Sequence, residues 1–166
     1  MARAAYPGAS WAAQTAVETR RDGSFSAVLP SRVSSRTVTF RYLSHAGDER
    51  PAAVASLDLR VRAAVALSVT PRRTHRRGTI TFRGRLLGKP IPARGKIVEL
   101  QARARGTKRW ITFRTVRANR SGRLSARYTF RATYGAITYE FRARARQEGS
   151  YPFLTGTSRV AAVRVR

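Results

Sequence analysis

Apolar and polar residues alternate along much of the chain, with a period of two. In Thr79–Leu86, Ile80, Phe82 and Leu86 alternate with Thr81, Arg83 and Arg85. In Lys96–Arg105, Val98, Leu100, Ala102 and Ala104 alternate with Glu99, Gln101, Arg103 and Arg105. Arg123–Phe130 and Ile137–Arg146 follow the same rule, with Leu124, Ala126, Tyr128, Phe130, Tyr139, Phe141, Ala143 and Ala145 on the apolar side. Val163 and Val165 close the chain against Arg164 and Arg166. Successive side chains of a strand point to opposite faces, so this pattern predicts half-buried strands. Val65–Thr70 and Trp110–Val116 bring the prediction to seven strands. The last of these is apolar on both faces around Ile111 and Phe113, which leaves its register open.

Turn residues separate the runs. Gly78, Gly88, Pro90, Pro92 and Gly95 punctuate the first half of this region. Arg105-Gly106-Thr107 and Asn119-Arg120-Ser121-Gly122 read as hairpin turns. No segment sustains a helical period. Seven short strands about ten residues apart predict an all-β fold, an antiparallel β-sandwich of immunoglobulin type. A closed barrel is the competing architecture.

The chain also resembles itself. At an offset of 99, Trp11 falls on Trp110, Arg21 on Arg120, Gly23 on Gly122, Ser26 on Ser125, Val38 on Ile137 and Phe40 on Tyr139. At an offset of 104, Leu59-Arg60-Val61-Arg62 falls on Val163-Arg164-Val165-Arg166. A tandem repeat follows, in which residues 1–62 are the C-terminal part of a truncated first copy and residues 63–166 are a complete one. On this register the first copy begins about 35 residues before Met1 and residues 10–62 supply about four strands.

Three segments carry a family resemblance. They are Trp110–Val116 followed by Asn119–Gly122, then Thr138-Tyr139-Glu140-Phe141-Arg142-Ala143-Arg144, then Tyr151-Pro152-Phe153-Leu154 with Gly156-Thr157-Ser158. In order and spacing they resemble the immunoglobulin-like and carboxypeptidase-regulatory-like β-sandwich repeats of bacterial secreted and surface proteins. Tyr139 stands where a tyrosine-corner residue could lie. The resemblance implies a modular, non-catalytic, extracellular domain that spaces or displays its neighbours in the same polypeptide. It implies secretion or a place on the cell surface, and it carries no site residues with it.

Charge changes the picture. Of 34 basic residues 31 are arginine, against eight acidic ones, for a net charge of +26. Such a chain attracts polyanions. Arg103, Arg105, Arg142, Arg144 and Arg146 share the outward side of two strands that an immunoglobulin-type sandwich places together. They form the candidate contact face for an anionic wall polymer, a phospholipid or a nucleic acid. The competing reading is a solvated strand face whose charge deters edge-to-edge pairing. Arg72–Arg77, the densest basic run, reads as a loop between the first two strands after Pro71, with a nucleic-acid or phosphate patch as the alternative. Tyr128, Phe130, Tyr139 and Phe141 lie on the inward side and read as core, so aromatics interleaved with arginines on one face are not expected. Tyr151 and Phe153, in a Pro-containing loop, read as residues packed over one end of the sandwich, with exposed contact residues as the alternative.

Catalysis has little support. There is no cysteine, so no disulfide, thiolate nucleophile or cysteine metal site. His45 and His75 fall in separate loops without an evident Ser or Asp partner. Glu99 and Glu140 lie among arginines, where cross-strand ion pairs are expected rather than acid–base work. No cofactor is expected, and no run is long enough to cross a membrane as a helix. The reading is a non-catalytic spacer or adhesion module with a basic face. Its alternative is a basic intracellular protein that binds nucleic acid through a sheet.

Overall fold

The computed structural model describes residues 16–29, 33–45 and 47–166. The Trp11 end of the repeat match lies outside the described residues. The chain divides into two compact units, Met1–Val61 and Arg62–Arg166. All regular structure among the described residues is strand.

In the first unit β1 (Arg36–Tyr42) pairs antiparallel with β2 (Ala53–Leu59). The two offsets together predict Val61 opposite Val38, because their counterparts Val165 (offset 104) and Ile137 (offset 99) face each other. Instead, Leu57 stands opposite Val38. The repeat also predicts a strand over residues 24–31, the counterpart of Arg123–Phe130, yet described residues 24–29 form none. A strand needs neighbours for its backbone groups, and the described residues of this unit offer no third strand to pair with. The turn ahead of that segment does form. Gly23, at φ +78°, donates its N–H to Arg20 O, and Asp22 Oδ1 accepts from both N and Oγ of Ser24.

The second unit contains nine strands. They are β3 (Val65–Thr70), β4 (Arg73–Thr74), β5 (Thr79–Leu86), β6 (Lys96–Ala104), β7 (Ile111–Ala118), β8 (Arg123–Thr129), β9 (Ile137–Ala145), β10 (Gly156–Thr157) and β11 (Ala161–Val165). One sheet runs β3-β5-β8. The other runs β4-β11-β9-β6-β7, with β10 paired to β9. Every pairing is antiparallel except β4 with β11. The seven predicted strands are all present. The Arg72–Arg77 run is not simply a loop, because Arg73–Thr74 crosses to the second sheet and lies parallel to Arg164–Val165.

The inward residues of the two sheets meet in one core. Ile80 and Phe82 of β5, Val98 and Leu100 of β6, Phe141 of β9 and Val163 and Val165 of β11 are all buried. Phe82 lies 5.1 Å from Phe141 and 5.6 Å from Phe113 between ring centroids, which ties the three-stranded sheet to the five-stranded path. Phe113 explains why β7 looked apolar on both faces. The ladder slips between Leu100 and Gln101, which face Arg114 and Thr112, so Phe113 is an extra residue of a β-bulge. The bulge turns Phe113 towards the core and leaves Ile111 exposed. Tyr128 keeps its inward side but is 38% exposed, with its ring against Phe113 and Phe130.

Tyr151 and Phe153 are both buried, 4.7 Å apart. The Tyr151 hydroxyl has no hydrogen-bond partner among the described residues. Burial pushes its ionisation up to about 12 from the ordinary 10. A phenol whose folded pKa is raised stabilises the fold fully below the unfolded value, and that stability is lost as pH rises towards the folded one. Ultraviolet titration is expected to show one tyrosine ionising near 12, with unit 2 weakening between about pH 10 and 12. Tyr151→Phe is expected to abolish that late step and to leave stability at pH 7 equal or higher, since an unpaired buried hydroxyl is removed. A late step that persists in the variant would refute the assignment.

Candidate polyanion-contacting faces

The charge is unevenly divided. Arg62–Arg166 holds 26 of the 34 basic residues and three of the eight acidic ones, a net charge of +23. Those three acids are Glu99, Glu140 and Glu148, and each is in contact with a cation.

Two of them lie among the five arginines that the alternation singles out. The antiparallel register sets Arg103 opposite Glu140, Gln101 opposite Arg142 and Glu99 opposite Arg144. Glu140 Oε2 accepts from Arg103 Nε at 2.7 Å, and its Oε1 lies 3.4 Å from Arg105 Nε. The hydrogen bond from Arg103 comes first among the causes that hold the Glu140 carboxyl below the usual carboxylate range. That contribution to stability is present above the unfolded carboxylate pKa and is lost as pH falls through the lowered one. Glu99 lies 3.4 Å from Arg146 and 3.7 Å from Arg144. So Arg103, Arg105, Arg144 and Arg146 all face a carboxylate.

Arg142 is held differently. Its Nε donates to Gln101 Oε1 at 2.9 Å, and its guanidinium lies 4.2 Å from the Trp110 ring centroid. Arg103 lies over the same ring at 4.5 Å. Desolvation first, then the charges of Arg144 and Arg103, lower the Arg142 guanidinium pKa. Stacking of this kind contributes about 0.5–1 kcal/mol at partly exposed sites. An aromatic ring therefore does share this outer face with the arginines, contrary to expectation. It is Trp110, at the end of the Arg105–Arg109 turn region rather than within a strand, so strand parity did not reveal it.

The third acid serves a residue that the alternation passed over. Lys96 opens β6 on the same side as Val98 and Leu100, and its side chain is fully buried. Its Nζ lies 2.6 Å from Glu148 Oε1 and 5.5 Å from the Tyr151 ring centroid. A buried ammonium requires such a counter-charge. In the repeat alignment Lys96 has no counterpart, and a single lysine on the apolar side reads as an interruption rather than a site.

Elsewhere, Tyr139 OH approaches Thr133 Oγ1 at 3.4 Å, a side-chain contact six residues upstream. His45 Nδ1 lies 3.7 Å from Asp48 Oδ2 in a turn, so this histidine does have an aspartate neighbour. No helix of the described residues is long and apolar enough to cross a membrane. No protein-family model matches the chain, and no curated protein matches it.

Proposed function

We propose that this chain is a non-catalytic structural module of a secreted or cell-surface protein, built from immunoglobulin-like β-sandwich repeats, whose second unit attaches to anionic surfaces by charge. One observation carries the reading: a net charge of +23 sits on a unit with only three carboxylates, each already engaged by a cation. That leaves the great majority of its arginines without an acidic partner inside the unit.

The strand order supports the immunoglobulin-like part. β3-β5-β8 against β11-β9-β6-β7 fits the A-B-E and G-F-C-C′ order of that sandwich. One detail supports the tandem part. The turns at Arg20–Gly23 and Asn119–Gly122 are 99 residues apart, and in both the final glycine has φ +78° and donates to the first carbonyl. Anionic wall polymer, phospholipid and nucleic acid are the classes of partner that this charge suits. The alternative of a nucleic-acid-binding protein gains from Trp110 among the arginines.

Binding of the full chain to phosphatidylglycerol vesicles and to two unrelated DNA duplexes, across a salt series, decides between them. The expected result is comparable binding to all three, falling steeply and linearly in log–log form with salt. A preference of roughly 1,000-fold or more for one duplex, surviving at physiological salt, would establish the nucleic-acid reading instead. No binding even at about 50 mM salt would end both.

A further inference from the structure

The five arginines on and just past β6 and β9 are the conspicuous basic face, but they are the face on which acids are spent. The outer side of the three-stranded sheet is different. Arg83 and Arg85 of β5 and Arg123 of β8 are exposed there. None of the three guanidinium groups has a carboxylate or a hydrogen-bond acceptor among the described residues, and all three acids of the unit have partners elsewhere. The register sets Arg85 directly opposite Arg123. Like charges opposed across an antiparallel pair are destabilising. On its other side Arg85 faces Ala66, and Arg83 faces Ser125, so small side chains floor the space between the arginines. Arg117 stands at the rim, with Nη1 donating to Arg94 O at 3.1 Å. Together these residues line a groove of about 790 Å³.

We propose that this groove binds a phosphodiester chain by its backbone. The inference rests on the polyanion reading above and narrows it to a site and a chemistry. Arg83 and Arg85 are two residues apart on one strand, about 7 Å, a spacing that suits successive phosphates of an extended chain better than one compact anion. Guanidinium groups pair with phosphate oxygens through their planar fork. No aromatic side chain shares the outward positions of β3, β5 and β8, so neither base stacking nor sugar stacking is available. The groove reads charge spacing, not sequence. The opposed Arg85 and Arg123 are relieved when a phosphate sits between them.

The test is anisotropy of the full chain with labelled DNA duplexes, comparing two triple variants over about 50–300 mM salt. Arg83→Gln/Arg85→Gln/Arg123→Gln is expected to weaken binding on the order of 100-fold near 100 mM salt and to reduce the salt slope by about 3. Arg105→Gln/Arg144→Gln/Arg146→Gln is expected to cost less than about 10-fold, since those arginines already face Glu99 and Glu140. Equal losses in both triples would overturn the groove while leaving the polyanion reading intact. Failure of the unmodified chain to bind at about 50 mM salt would remove that reading itself. A sulfated glycan competing as well as DNA at equal charge would overturn the phosphodiester assignment. Poly(glycerol phosphate) competing as well as DNA supports the site with a wall-type polymer as the source, and selective competition by DNA supports it with nucleic acid as the source. Should the triple variant fold poorly, Arg85→Gln alone decides: the slope falls by about 1, or the groove is wrong.

Discussion

Phe82→Ala is expected to destabilise the second unit by about 4 kcal/mol and to lower its melting temperature on the order of 20 °C. Phe82 is fully buried at the centre of β5 and touches two rings of the opposite layer, Phe113 and Phe141. Truncation removes the transfer free energy of the ring and leaves a cavity that flanking strands cannot close, because both are fixed by their ladders. It also removes two aromatic contacts worth about 0.5–1.5 kcal/mol each beyond burial. Small domains are stable by only about 5–15 kcal/mol, so much of the margin disappears. Urea denaturation followed by circular dichroism measures this. A loss under about 1 kcal/mol would mean that the layers are not joined through Phe82.

Glu148→Ala is the second large effect, expected to cost about 2–3 kcal/mol. Its side chain is 43% exposed, so loss of the carboxylate as such costs little. The cost comes from Lys96, whose ammonium stays fully buried without its counter-charge. Lys96→Met is expected to be within about 1 kcal/mol of neutral, because a flexible apolar chain of similar length fills the same space. The double variant is then expected to recover most of what Glu148→Ala loses. The coupling measured by this cycle is the diagnostic quantity. Additive losses would show that Lys96 and Glu148 do not act on each other.

These two residues also mark how far the chain could be read before its structure was known. Phe82 was legible, because a phenylalanine on the apolar side of a regular strand has one place to go. The same reasoning placed Val98, Leu100, Phe141, Val163 and Val165, all of which are buried. It paired Glu99 and Glu140 with arginines of the neighbouring strand, since antiparallel register brings the outward positions together. It failed where periodicity fails. The bulge at Phe113 breaks parity within one residue. Arg73–Thr74 is too short to show alternation and owes its strand form to Arg164–Val165, far along the chain. Lys96 and Trp110 depend on partners brought by tertiary packing. The groove of Arg83, Arg85 and Arg123 depends on where acids are absent, and that is known only once each acid has been located.

The placement of the acids has a consequence for orientation. Glu99 and Glu140 both lie on the outer face of the β6–β9 pair, and the β3-β5-β8 face has none. The outer face of β6–β9 thus presents arginines paired with carboxylates, and the outer face of β3-β5-β8 presents arginines that are not. On the groove proposed above, a polyanionic surface would meet the unit at Arg83, Arg85 and Arg123 and leave Trp110, beside Arg103 and Arg142 of the other sheet, uncovered. A layer of these units would be polar, every copy showing the same side to whatever arrives next.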